Sequence, residues 1–178
     1  KTYDGYKIFS AELEKITGLK LFHNHMTIDL VSNFFSYSTE SGRRLVNLFR
    51  KEILEEVASS DLDGLIFTYV WAFDQKDDWD YIDNLVATFE KQGGTVYFVE
   101  LEANIDERLK RNRTEHRLAH KPTKRNIESS ESQLKEGFAK HRLNSDDGEI
   151  KQENYIRIDN TNLDAETVAK KIKESFNL

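Results

Sequence analysis

Apolar residues along this chain follow two different rhythms. Short runs rich in β-branched and aromatic residues recur at Leu19–Phe22, at Gly64–Val70 ("GLIFTYV"), at Thr95–Leu101 ("TVYFVEL") and at Tyr155–Ile158. The second and third are nearly continuous, which predicts strands buried on both faces, as in a parallel sheet. Between them the apolar positions fall at helical spacing. Helices are predicted over Ser10–Thr17, Met26–Phe35, Glu40–Ser59 and Asp77–Lys91, with a last one at the C-terminus. In the helix over Glu40–Ser59 the i, i+4 series Leu45, Phe49, Ile53 and Val57 predicts the buried stripe. Punctuation agrees with these bounds. Ser10 can cap the first helix and Gly18 ends it, Ser38 or Thr39 can cap the third, and Gly93-Gly94 stop the fourth. Asp164 is placed to cap the last helix, with Leu163 and Val168 as a hydrophobic staple.

Strands alternating with helices predict an α/β fold with a parallel sheet, in one domain of 178 residues. Ligands in such sheets bind outside the carboxyl ends of the strands. His23-Asn24-His25, Trp71–Asp74, Glu102–Asn104 and Asp159–Thr161 all fall at that edge.

Composition narrows the classes. The chain has no cysteine, so disulfides and thiolate metal sites are excluded. Its apolar runs are too short for membrane spans, and no signal peptide opens it; a cytoplasmic protein without a membrane role is the expectation. The net charge of −6 conceals an asymmetry: Asn104–Asn144 holds eleven Lys/Arg against six Asp/Glu, so the remainder is near −11. That segment, which also holds the only proline, Pro122, reads either as a solvated helical face or as an anion-binding segment. The overall acidity, and the absence of interleaved aromatic and basic residues, argue against nucleic acid as a partner.

Two of the five histidines stand at one strand-to-helix junction, around Asn24. His23, Asn24 and His25 could contact a polar substrate, with a neutral His25 as base, or form a polar corner satisfied by backbone. A zinc site would need further ligands at ligand spacing. Asp74 could hold Mg²⁺ through water or simply start a helix.

The stretches "ITGLKLFHNHMTIDLV", "GLIFTYVWAFD", "VYFVELEA", "ERLKRNRT", "KPTKR" and "RIDNTNL" together resemble a bacterial family of P-loop proteins labelled shikimate-kinase-like or AAA-type ATP-binding proteins. The resemblance runs from about Ala11 to the C-terminus. It implies a nucleoside-monophosphate-kinase type fold with a five-stranded parallel sheet, flanking helices and a basic lid over 104–144. It also implies the nucleotide ATP with Mg²⁺ as cofactors and a small-molecule acceptor as partner, in a monomer or homodimer. By the same resemblance Arg113 would lie against adenine and Lys121 would meet the transferring phosphoryl group. Arg50, in "LFRKE", would clamp an anionic acceptor group, although an exposed helix arginine is an equal reading. Arg142 would face the acceptor, and Asp159 and Thr161 would border the nucleotide base.

The family's opening strand and its loop G-x-x-x-x-G-K-[ST] have no counterpart here. Counting back from "ELEKITGLK", Gly5 matches the loop's last glycine, Tyr6 its lysine and Ile8 its hydroxyl position, while Lys7 is one place off. A buried central strand of about six apolar residues is worth on the order of 10 kcal/mol, against a net domain stability of about 5–15 kcal/mol. The expectation is therefore an incomplete N-terminal region, with an interruption of the chain between Lys1 and Ser10. The alternative is a degenerate member that no longer binds ATP. The function expected on this reading is ATP-dependent phosphotransfer to a small polar acceptor, and the competing one is a non-catalytic nucleotide-binding or partner-binding module.

Overall fold

The computed structural model describes residues 5–112 and 127–178. The element order is α1 (Gly5–Thr17), β1 (Lys20–His23), α2 (His25–Ser32), α3 (Glu40–Ser59), β2 (Leu65–Thr68), α4 (Lys76–Glu90), β3 (Phe98–Glu102), α5 (Ile105–Asn112), α6 (Ile127–Lys140), β4 (Tyr155–Asp159) and α7 (Ala165–Phe176). The alternation of strand and helix is that of an α/β fold, as the two rhythms predict.

The sheet differs from expectation. Among the described residues it is not one five-stranded sheet but two parallel pairs, β1–β2 and β3–β4. The first pairs Lys20 with Leu65 through His23 with Thr68; the second pairs Phe98 with Tyr155 through Glu102 with Asp159. The helix expected from Ser10 begins earlier, at Gly5, and runs through Ser10; residues 1–4 lie outside the described residues. Ser10 therefore sits inside α1 rather than capping it. Gly18 ends α1 as expected: its φ of 78° is one that only glycine adopts at little cost, and its N–H bonds the Glu14 carbonyl.

A core lies between α1 and α7. Phe9 and Leu13 of α1 pack with Val168, Ala169 and Ile172 of α7 and with Leu101 of β3, and the partly buried Leu163 completes the staple beside Val168. The Asp164 carboxylate caps α7 by accepting the Thr167 N–H at 2.7 Å. Lys173 near the end of α7 reaches the Ile16 carbonyl near the end of α1 at 2.6 Å, so the two helices finish at the same edge. From there Gly18 and Leu19 feed β1, which places the start of α1 toward the carboxyl ends of the strands.

The predicted stripe of α3 is one residue out. Gly42, Val46, Arg50 and Leu54 are buried, whereas Phe49 and Ile53 are 37% and 39% exposed. Gly42 sets this rotation. A Cβ there would stand 2.1 Å from the Ser36 carbonyl oxygen, so the preceding loop closes directly on the helix backbone. Thr39 caps the same turn, accepting the Gly42 N–H at 3.1 Å. Binary pattern alone placed the stripe on the neighbouring apolar series because nothing in it weighs a glycine contact or a buried arginine.

Truncating Val46 to Ala should cost about 2 kcal/mol, and Ile53→Ala about 1 kcal/mol or less. Urea midpoints of the two variants check the rotation; equal losses would restore the predicted stripe.

Candidate functional site

Three polar clusters occupy the region where sequence places the site, and each is built from buried or half-buried charge tied to loop backbone. The first is the β1–α2 corner. His23 ends β1 and His25 begins α2 with a side chain only 3% exposed. Arg50 enters from α3, itself 6% exposed. It donates through Nη2 to the Asn24 carbonyl at 2.7 Å and through Nε to Thr27 Oγ1 at 3.1 Å. The Asn24 N–H bonds Thr68 Oγ1 at the end of β2, at 3.2 Å. The arginine expected to clamp an acceptor thus fastens the corner itself. Arg50 braces the turn carrying His23, Asn24 and His25; His25 is buried, while His23 and Asn24 are half-buried. Tyr69 and Tyr81 stand close enough to feel the Arg50 charge. Burial pushes the Tyr69 phenol above its usual range, helped by the charge of Asp78 and by the hydrogen bond to it; burial raises Tyr81 too.

The second cluster joins the carboxyl ends of β3 and β4 to the base of the basic segment. Asp159 Oδ1 accepts the Thr161 N–H at 2.9 Å, which with the Thr161 hydroxyl holds the carboxyl below its ordinary range. Thr161 Oγ1 accepts the Asn104 N–H at 3.1 Å, knitting the two loops together. Arg111 on α5 donates to the carbonyl and side-chain oxygens of Asn160 at 2.7 and 3.2 Å and pairs with Glu107 at 2.8 Å. Its guanidinium lies 5.4 Å from the centre of the Phe9 ring, which brings the beginning of α1 to this edge. Arg108 donates to the Ala103 carbonyl at 2.7 Å and lies over Phe138 of α6. The described base of the basic segment, α5, therefore starts at the carboxyl edge. Arg113 and Lys121 lie outside the described residues. Gly5 and Lys7 fall in the first turn of α1.

The third cluster fixes the loop after β2. Asp74 accepts from Gln75 Nε2 at 3.0 Å and from the Arg142 N–H at 3.1 Å, and it meets His141 Nδ1 at 3.2 Å. Partial desolvation works against the charge, but these hydrogen bonds from Gln75, His141 and Arg142 outweigh it and hold the carboxyl at about 2. Asp74 therefore braces the loop after β2 while its side chain stays about a third exposed. No group of three His, Asp or Glu residues suited to a metal ion occurs among the described residues. Arg142 is likewise occupied, by a bidentate pair with Glu149.

Sequence reasoning passed over two buried carboxylates, Glu100 and Asp78. Glu100 lies in the middle of β3 at 9% exposure. It accepts from Asn144 Nδ2 at 2.8 Å, the Ser145 N–H at 2.9 Å, Ser145 Oγ at 2.6 Å and Tyr155 OH at 2.7 Å. A lone glutamate inside "TVYFVEL" was the available signal. Asp78 was equally hidden; it accepts from Tyr69 OH and the Ala72 N–H at 2.9 and 2.8 Å.

Burial alone would raise the Glu100 carboxyl, but the hydrogen bonds from Ser145, Asn144 and Tyr155 outweigh it and leave it below the ordinary 4.5. A carboxyl depressed by folding contributes stability that is complete above its unfolded value and is lost as pH falls through its folded one. Glu100→Gln should lower stability by about 1–3 kcal/mol at pH 7. The deficit should shrink as pH falls below the ordinary value, which urea midpoints from pH 7 to pH 3 measure. A deficit independent of pH would show that the charge is not what matters.

No protein-family model, curated protein or solved structure matches this chain.

Proposed function

We propose that this chain binds ATP with Mg²⁺ as a P-loop-kinase-like protein and transfers the terminal phosphoryl group to a small polar acceptor. The observation that carries this reading is the convergence at one edge of the parallel strands. The start of α1, the base of the basic segment on α5 and the loop Asp159-Asn160-Thr161 meet there, linked by Arg111. The first N–H groups of a helix have no intrahelical acceptor and carry partial positive charge, which suits phosphate. Arg113 and Lys121, two and ten residues beyond Arg111, are the cations this reading assigns to the nucleotide and to the charge that develops in transfer. The residues fit the nucleotide better than the metal. Asp74 is engaged by His141 and Arg142, so Mg²⁺ is assigned to the incoming nucleotide and not to that carboxylate. ATP supplies the transferable group; the chain's own contribution is to bind it, orient it and exclude water when the basic segment closes.

The non-catalytic reading has one observation in its favour. Tyr6 and Ile8 stand where the phosphate-binding loop would carry lysine and a hydroxyl, and both lie in α1.

Calorimetric titration of the protein with ATP and Mg²⁺, then a phosphotransfer screen over hydroxy acids, sugars and nucleosides, tests the proposal. Binding and turnover are expected, with Arg113→Ala or Lys121→Ala lowering turnover about 100-fold and acceptor binding far less. Binding without turnover on any acceptor favours the sensing module, and no binding overturns both.

A further inference from the structure

The α2–α3 hairpin leaves one face apolar and open. In α2, Met26, Leu30 and Phe34 recur at every fourth position, and the winding continues past the helix end, with the Phe34 N–H bonded to the Val31 carbonyl. Phe34 is 78% exposed, and Met26 and Leu30 about half. In α3 the exposed apolar residues are Leu48, Phe49 and Ile53. The two helices run antiparallel: Gly42 meets Ser36 at one end, and Arg50 bonds Thr27 at the other. In each helix the exposed stripe is offset from the buried one in the same way, Leu30 preceding Val31 and Phe49 preceding Arg50. Rotations of the same sense about antiparallel axes bring both stripes to one side of the hairpin.

Counting about 200 Å² for a whole side chain of this size, the face exposes roughly 500 Å² of apolar surface, toward the upper end of what monomers show. That is also the apolar share of a standard interface of about 800 Å² per partner.

Charge along α3 defines the partner. Arg43 and Arg44 stand near its start, Glu52, Glu55 and Glu56 near its end, and its last turn holds no basic residue. Glu40 apart, this order opposes the helix dipole, which favours anions at the start and cations at the end. Arg44 makes no ion pair among the described residues, and Glu55 has an exposed contact of 3.8 Å with Lys51. A second α3 laid antiparallel across Phe49 brings opposite charges level. Arg44 lies about 8 Å before Phe49 along the axis and Glu55 about 9 Å after it.

We propose that this face is a self-association surface, on which a second copy of the chain packs with its α3 antiparallel across a two-fold axis. Met26, Leu30, Phe34 and Phe49 form its apolar centre, and at the rim Arg44 pairs with the partner's Glu55. The surface stands on apolar area and charge order alone and is independent of ATP binding.

Sedimentation equilibrium of the 178-residue chain from about 1 to 100 μM tests it. A mass of twice 20.8 kDa is expected. Leu30→Glu and Phe34→Glu, at positions open to solvent, should each give the mass of one chain with an unchanged circular dichroism spectrum. Arg44→Glu and Glu55→Arg should each weaken association about 10-fold, and the two together in one chain should restore it to within about 3-fold. A single-chain mass at the highest concentration overturns the proposal, whether the face then takes another protein or stays open to water. So does a dimer that persists in both glutamate variants, which would place the contact elsewhere. Should those variants not fold, the charge swaps decide: restoration by the double swap supports the antiparallel pair, and its failure overturns it.

Discussion

A parallel strand carries peptide groups on both edges, and those groups must be satisfied wherever water is excluded. In this chain β1 satisfies one edge of β2, and β4 satisfies one edge of β3; β2 and β3 both line a cavity of about 560 Å³. Much of the architecture is arranged around that cavity. α1 and α7 pack along it, and the core they form draws on both pairs through Ile66 of β2 and through Val99 and Leu101 of β3. Among the described residues the two pairs share no ladder, and these helices pack against both.

Buried charge does the corresponding work at the loops. Glu100 and Arg111 reach backbone groups of loops outside any strand or helix, and Arg50 reaches the carbonyl of Asn24, the N-cap of α2. A charged partner makes such bonds about twice as strong as neutral ones, and truncating it would strand the carbonyls and amides it serves. Several of the candidate residues make such bonds here. Arg50 secures the corner of His23, Asn24 and His25, and Asp74 secures His141 and Arg142. Arg113 and Lys121, which lie outside the described residues, are the cations the proposed chemistry uses.

The order of strands and helices was legible in the chain because each element carries its own period, caps and stops. Thr39, Asp164, Gly18 and Gly93 act locally, through hydrogen bonds within four or five residues or through a positive φ, as at Gly93 with 81°. The location of candidate groups at strand ends was legible for the same reason, since it follows from element order in an α/β fold. What each group does there was not. Arg50 and Asn24 are 26 positions apart, Glu100 and Ser145 are 45, and Asp74 and His141 are 67. Pairings at such separations leave no periodic trace.

The amino-acid sequence by itself determined the α/β class, the helix and strand succession, the acidic body and the basic segment from Asn104 to Asn144, because propensity, patterning and charge are properties of near neighbours. Only the tertiary structure decided three things. It chose which face of α3 is buried, through the Gly42 contact with Ser36. It split the strands into two pairs around a cavity, and it committed Arg50, Asp74 and Arg142 to loops and to Glu149. The physical reason is common to all three. Rotation, strand adjacency and the partner of a buried charge are set by groups that meet only when distant segments pack, and the free energy that selects them is that of burial and of satisfying every polar group so buried.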